Sequence, residues 1–394
     1  MLIMMLRDLR LAPIRTALTA VSMLIGVLAV VGASLVGTIG STFLEATNAQ
    51  IAGRPASYLV SVEAPKGLDA DQMQAFATAL ADADGVAMAP VVTLSEGLTI
   101  VPSDGGGTII PSTVSETVLT TSRYRDVYLL PLVSGQWFSA ESDAAGLQIV
   151  VNEAGQNRYG GVGSTLSLTS QGTQTVTSAT VTGVINDADD SPRVYINATS
   201  FAMFETQLWE PQSVDVYAHP QSSGSTANDI SSLVSDIAYD SFSGSATGVQ
   251  RIDNSDSYTE VLSYLQTAFA ACAALLLAMA ALGLLNIGLS DIEQRSHELL
   301  IRRALGASRT HVMLLVSGSS VILSLIVAAV AITLSMAFVA FIPSILPADS
   351  PIPHPSYPYD AAGYALAGAV VTALLGSAVP AVKAARLEPA MALR

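Results

Sequence analysis

Two lysines, four histidines and a single cysteine bound the chemistry open to this chain of 394 residues. A phosphate-cradling P-loop needs a lysine followed by serine or threonine after a glycine-rich turn. Lys66 is followed by Gly67 and Lys383 by Ala384, so that motif is absent. His219, His297, His311 and His354 show no metal-ligand spacing, and no Ser-His-Asp arrangement stands out among the many serines. Cys272 stands alone, which excludes an intrachain disulfide. The residues point to a protein that is not an enzyme, with no catalytic side chain and no metal or cofactor bound by this chain.

The stretch from Ser290 to His311 is more informative. Asp291 with Arg295 and Glu298 with Arg302 are i,i+4 pairs, Leu299, Leu300, Ile301, Ala304 and Leu305 offer a broad apolar surface, and Gly306 is a helix stop. The spacing predicts a short amphipathic helix, which could either pack against a bilayer or dock a partner.

The elements that position this stretch follow from hydropathy. Hydrophobic residues make up 51% of the chain and charged ones 12%, about half the charged share of a soluble domain. Four runs, Ala17 to Ile39, Leu262 to Leu289, Val312 to Ile342 and Ala361 to Val382, are long enough for transmembrane helices of about 20 residues. The first run exceeds a signal-peptide core and lacks a compelling cleavage site, so it is expected to be retained. Ten of the seventeen basic residues lie in the N-terminal segment, the loop after the second run and the C-terminal tail, with five acidic ones. Those segments therefore carry +5 and the remainder −20, which predicts cytoplasmic termini in a multi-pass membrane protein. Acidity of the exterior argues against nucleic acid as a ligand.

Between Ser41 and Ser257 the chain is polar and strand-rich. Tyr58 to Val62, Asp69 to Asp82 and Val86 to Leu94 read as strand, helix and strand; Ser213 to Ala218 and Ala227 to Ala238 repeat a strand and a helix. Thr99 to Tyr195 reads as all-β, with alternation in Ser164 to Leu168 and Val176 to Val184, and is expected to form an inserted β subdomain. Six prolines between Pro343 and Pro358 predict a stiff outer loop.

The run Glu293 to Arg309 (EQRSHELLIRRALGASR), with Asn286 before it, resembles the signature that follows the second membrane helix of FtsX/MacB-type ABC transporter permeases. Arg10 to Thr19 with Gly26, and Pro380 to Arg394, are similar to the two ends of that family. Gly135 to Phe138, Asn152 to Ala154 through Tyr159 and Gly160, Val162 to Leu166, Val181 to Val184 and Val194 to Ile196 look like strand landmarks of its periplasmic core. The chain departs from the family pattern at His297 to Leu300 and at Gly318 to Ser320.

The resemblance implies an α-helical membrane protein with four transmembrane helices and an α+β extracytoplasmic domain, a porter-like α/β part with an inserted β-rich, sabre-like part. The expected division is a cytoplasmic amphipathic segment (1–16), a first span (17–40), the outer domain (41–258, porter-like in 41–98 and 196–258, sabre-like in 99–195), a second span (259–289), a coupling helix (290–311), a third span (312–342), the Pro-rich loop (343–360), a fourth span (361–382) and a cytoplasmic tail (383–394). It further implies a homodimeric permease served by two copies of a separate ABC ATPase, which binds the ATP and Mg, and an extracytoplasmic adaptor or effector. The function expected is mechanotransmission that exports or extracts an amphipathic substrate; the alternative is a non-transporting transmitter controlling an external partner such as a cell-wall hydrolase. Glu298, Leu299, Ile301, Arg302 and Leu305 are the expected ATPase-docking residues. Ser22, Gly26, Ala29, Ala33 and Gly37 are expected to pack the first helix against Ala270, Ala274, Ala278 and Ala281 of the second. Phe43, Glu45, Tyr258 and Tyr264, near the outer helix ends, are the expected substrate-lining residues.

Overall fold

Helical apolar periodicity gives way to strand alternation near residue 52 and returns near residue 255, and the fold divides accordingly. A computed structural model describes residues 13–103, 117–138, 147–170, 176–221, 224–346, 350, 352 and 355–386. The chain forms two compact units, one of residues 1–41, 259–346 and 354–394, the other of residues 42–258 and 347–353. The expected N-terminal segment up to Ala12, the tail beyond Arg386 and part of the Pro-rich loop lie outside the described residues.

The elements in order are α1 (Pro13–Ile51), β1 (Tyr58–Glu63), α2 (Ala70–Asp82), β2 (Val86–Leu94), β3 (Leu98–Pro102), β4 (Thr117–Thr120), α3 (Tyr124–Val127), β5 (Leu132–Gly135), β6 (Leu147–Asn152), α4 (Glu153–Tyr159), β7 (Thr165–Ser170), β8 (Thr177–Ile185), β9 (Val194–Asn197), α5 (Ala198–Phe204), β10 (Pro211–Pro220), α6 (Ala227–Phe242), β11 (Ser245–Arg251), α7 (Ser255–Ala304), α8 (Arg309–Phe341) and α9 (Tyr359–Ala385).

Among the described residues, four helices are long and apolar enough to cross a membrane, over Ala17–Ile51, Tyr258–Gln294, Arg309–Ser344 and Tyr359–Ala385. Small residues make α9 the inner helix. Ala361, Ala365, Ala369 and Ala373, spaced by four, are fully buried against Met23, Val27 and Val31 of α1, Leu284 of α7, and Val327, Ala328 and Ala331 of α8. Such a seam lets backbones approach where apolar burial drives nothing between helices. Gly376 extends it: a Cβ there would lie 2.6 Å from Cβ of Leu284 and 2.8 Å from the Ala281 carbonyl.

The second unit is built on one mixed sheet in the order β11-β1-β10-β2-β4-β9-β6-β8-β7-β3, with β5 paired to β8. Its first four strands are two interleaved split β-α-β units, β1-α2-β2 and β10-α6-β11, each with the other's strand between its own. Asp69 caps α2 and Thr226 caps α6, both in capping boxes. One face buries Phe76 edge-on to Phe242, with ring centroids 5.0 Å apart. The expected β-rich insertion is present, and it does not stand apart from this sheet. Antiparallel pairing of β2 with β4 makes the insertion continuous with the α/β part, and one core runs from Val60 and Phe76 through to Leu166, Leu168 and Val181. Nor is the insertion all-β. Asn152 accepts from the Gly155 N–H and so starts helix α4 at Glu153.

Candidate functional site

Continuity of one helix is what places the charged stretch that follows the second span. From Leu289 to Leu305 the chain has neither proline nor glycine, so nothing breaks α7 where a separate coupling helix was expected. The helix runs unbroken for 50 residues, about 75 Å at 1.5 Å per residue. That is more than twice the roughly 30 Å hydrocarbon core. Gly306 ends the run at φ 101°, and Ser308 caps α8 by accepting from the His311 N–H at 3.1 Å. The result is a helical hairpin with a four-residue turn.

At this hairpin the expected docking residues separate into two groups. Leu299 is 7% exposed and packs with Ile292, Val312 and Ala384. It is core, a correction to its expected docking role, because helix α8 covers that side of α7. Leu300 is buried as well. Glu298, Ile301 and Leu305 lie on the open side, with Leu305 83% exposed. The side chain of Arg302 lies outside the described residues.

Two contacts that spacing could not reveal tie α9 to this extension. Arg303 Nη1 donates to the Ala385 carbonyl at 3.0 Å, satisfying a terminal carbonyl of α9, and Lys383 Nζ meets Glu293 Oε1 at 3.1 Å. Only the basic clustering near Arg386 hinted at them.

On α1, Gly26 and Gly37 are buried while Ser22 is exposed and Ala29 and Ala33 are half-buried. A Cβ at Gly26 would come within 3.0 Å of Leu277, and one at Gly37 within 2.7 Å of Gln266. The face of α7 turned inward therefore carries Leu277 and the buried Ala273, Ala280 and Leu284. Ala270, Ala274 and Ala278 are exposed, and only Ala281 is half-buried, which corrects the expected matching face. Spacing of four predicts a seam along these alanines, whereas the α7 side chains that approach α9 are Leu277, near Gly368, and Leu284, near Gly376.

Of the expected lining residues, Phe43, Glu45 and Tyr264 are exposed and Tyr258 is half-buried; the Tyr264 hydroxyl donates to Glu260 Oε1 at 3.2 Å. Phe43 borders a cavity of about 630 Å3 with Thr47 and Gln50 of α1, Glu153 and Asn157 of α4 and the turn from Asn186 to Asp190. Gln50, also missed, fastens α1 to that turn by donating to the Asn186 carbonyl at 3.0 Å. Within the turn Asp189 is held below the usual carboxylate range by the Ser191 N–H; burial opposes this, and Arg193, 2.6 Å away, adds to it.

The start of α7 is fastened in the same unit. Ile252 donates to the Ser57 carbonyl at 3.1 Å, and the Asp253 carboxylate accepts from Arg251 at 2.8 and 3.0 Å and from the Ser255 hydroxyl. Burial alone would raise the Asp253 pKa, but these donors and the Ala56 N–H bring it down to about 2.

Comparison with known proteins is consistent with both units. Residues 16–233 match the MacB-like periplasmic core domain and residues 270–389 the FtsX-like permease C-terminal domain. No curated protein sequence matches. Among solved structures, the chain is similar to the periplasmic region of MacB from Actinobacillus actinomycetemcomitans, at 13% identity over 54% of this chain and 94% of that one, with a TM-score of 0.36. It is likewise similar to the extracellular domain of the noncanonic ABC-type transporter YknZ from Gram-positive bacteria, at 15% identity over 48% of this chain and 100% of that one, with a TM-score of 0.32.

Proposed function

The chain belongs to the FtsX/MacB-type family of ABC transporter permeases, and from that premise we propose that it transmits force from a separate ATPase to its sheet domain. The observation that carries this reading is the single helix α7, Ser255 to Ala304. One end offers Ile301 and Leu305 uncovered beside a tight turn, and the other begins at the Arg251-Asp253-Ser255 hydrogen bonds of the sheet unit. A helix resists axial compression because each peptide is bonded to the next turn, so displacement at the hairpin is carried along it. In this reading two ATPase subunits grip the hairpins of a homodimer, ATP and Mg reside on those subunits, and the sheet domains move an amphipathic substrate outside the membrane.

The open face predicts where coupling fails. Ile301→Asp with Leu305→Asp is expected to lower permease-stimulated ATP turnover at least about tenfold and to abolish copurification with the ATPase, while the chain keeps its melting temperature. Leu299→Asp is expected instead to destabilise the chain itself, since it buries a carboxylate in the α7-α8-α9 contact. Full stimulation by the double variant would overturn the assignment.

A further inference from the structure

The C-terminal end of α9 carries a surface that the coupling reading does not use. Ala378, Val379, Val382, Lys383 and Arg386 share one exposed helix face and line a cavity of about 640 Å3. Their spacing stacks three small apolar side chains in front of two cations. The apolar part lies within a helix apolar enough to cross a membrane, so its occupant must be at home among acyl chains. The charged part sits at the end of that span, where hydrocarbon gives way to headgroups. Arg386 presents a planar fork of donors suited to phosphate oxygens, and Lys383 a mobile point charge. Half-buried Arg303, bonded to the Ala385 carbonyl, adds a third cation nearby. Together they exceed the roughly half negative charge of the helix terminus and the carboxylate of Glu293, which is 70% exposed.

We propose that this face binds one anionic phospholipid, its phosphate held between Lys383 and Arg386 and an acyl chain lying along Ala378, Val379 and Val382. Charge complementarity selects an anionic headgroup over a zwitterionic one. Because Lys383 also pairs with Glu293 of α7, a bound phosphate competes for that contact, and lipid occupancy loosens the tie between α9 and the hairpin. Lipid binding at this face does not depend on ATPase docking at the hairpin.

The test uses the full chain in nanodiscs of phosphatidylcholine with a minor fraction of phosphatidylglycerol, followed by native mass spectrometry of the retained lipid. Wild type is expected to keep one phosphatidylglycerol per chain in preference to phosphatidylcholine. Lys383→Ala with Arg386→Ala should reduce that retention by about fivefold for each cation removed. Arg386→Gln, at an exposed position past the helix end, gives the same reading at half strength should the double variant misfold. Arg309→Ala, an exposed cation at the start of α8, should retain lipid as wild type does. Unchanged retention in the double variant, or equal loss with Arg309→Ala, would reduce the effect to diffuse attraction and overturn the site. Displacement of the lipid by millimolar inorganic phosphate would assign the cations to a free anion instead.

Discussion

Asn152 is fully buried and uses both ends of its amide. Nδ2 donates to Asp187 at 3.0 Å and to the Ser191 carbonyl at 2.8 Å, and Oδ1 accepts from the Gly155 and Arg193 N–H groups, each at 2.8 Å. Asp187 in turn accepts from the Tyr195 hydroxyl at 2.7 Å, and burial together with that carboxylate pushes Tyr195 well above the ordinary tyrosine range. Removing the amide strands several buried partners at once. Asn152→Ala should therefore cost about 3 kcal/mol or more, read as a lowered denaturant midpoint, and a loss below about 1 kcal/mol would contradict the network. Asp253 supplies a pH signature. Its pKa of about 2 lies below the unfolded value near 3.9, so its contribution is present above about pH 4 and is lost as pH falls towards 2. Its side chain is covered but its Arg251 partner is partly exposed, so with solvent screening the shift corresponds to at most about 2 kcal/mol. Asp253→Asn should be less stable than wild type by up to that amount at neutral pH, with the difference vanishing near pH 2; a constant difference across that range would refute the linkage.

Among the elements, α7 and α9 depend on how closely their backbones meet. Gly288 lies where a Cβ would come within 2.8 Å of Pro380, and Gly376 faces Leu284 and Ala281 as described, whereas a Cβ at Gly363 meets nothing within 4 Å. Gly376→Ala should lower the melting temperature of the chain in detergent by an amount equivalent to about 1–3 kcal/mol, because the methyl overpacks the seam. Gly363→Ala should be neutral or stabilising by up to about 1 kcal/mol through helix propensity alone. Equal effects at the two glycines would mean that α9 does not pack on α7 through Gly376.

At the scale of the whole molecule, the distribution of basic residues predicts an orientation that can be measured. With Cys272→Ser as background, Tyr239→Cys in α6 and Leu305→Cys in the hairpin place thiols at positions 69% and 83% exposed. An impermeant maleimide should label Tyr239→Cys in intact cells and Leu305→Cys only after permeabilisation. The reverse pattern would invert the topology and move the hairpin out of reach of a cytoplasmic ATPase.

Local patterns sufficed for much of this. Four apolar runs, the strand at Val86 to Leu94, the helix opening at Asp69 and the stop at Gly306 are properties of neighbouring residues, and each was legible without any contact. Strand β11 was not, because Ser245 to Arg251 lacks apolar alternation and lies at the sheet edge with little to bury. Joining of the insertion to the α/β part in one sheet was equally hidden, since pairing of β2 with β4 is a register between distant segments. Leu299 and Ile301 show the limit most sharply. Two residues apart on one helix and equally apolar, they differ only in that α8 and α9 cover one and leave the other open, and no periodicity within α7 says which side its neighbours will take.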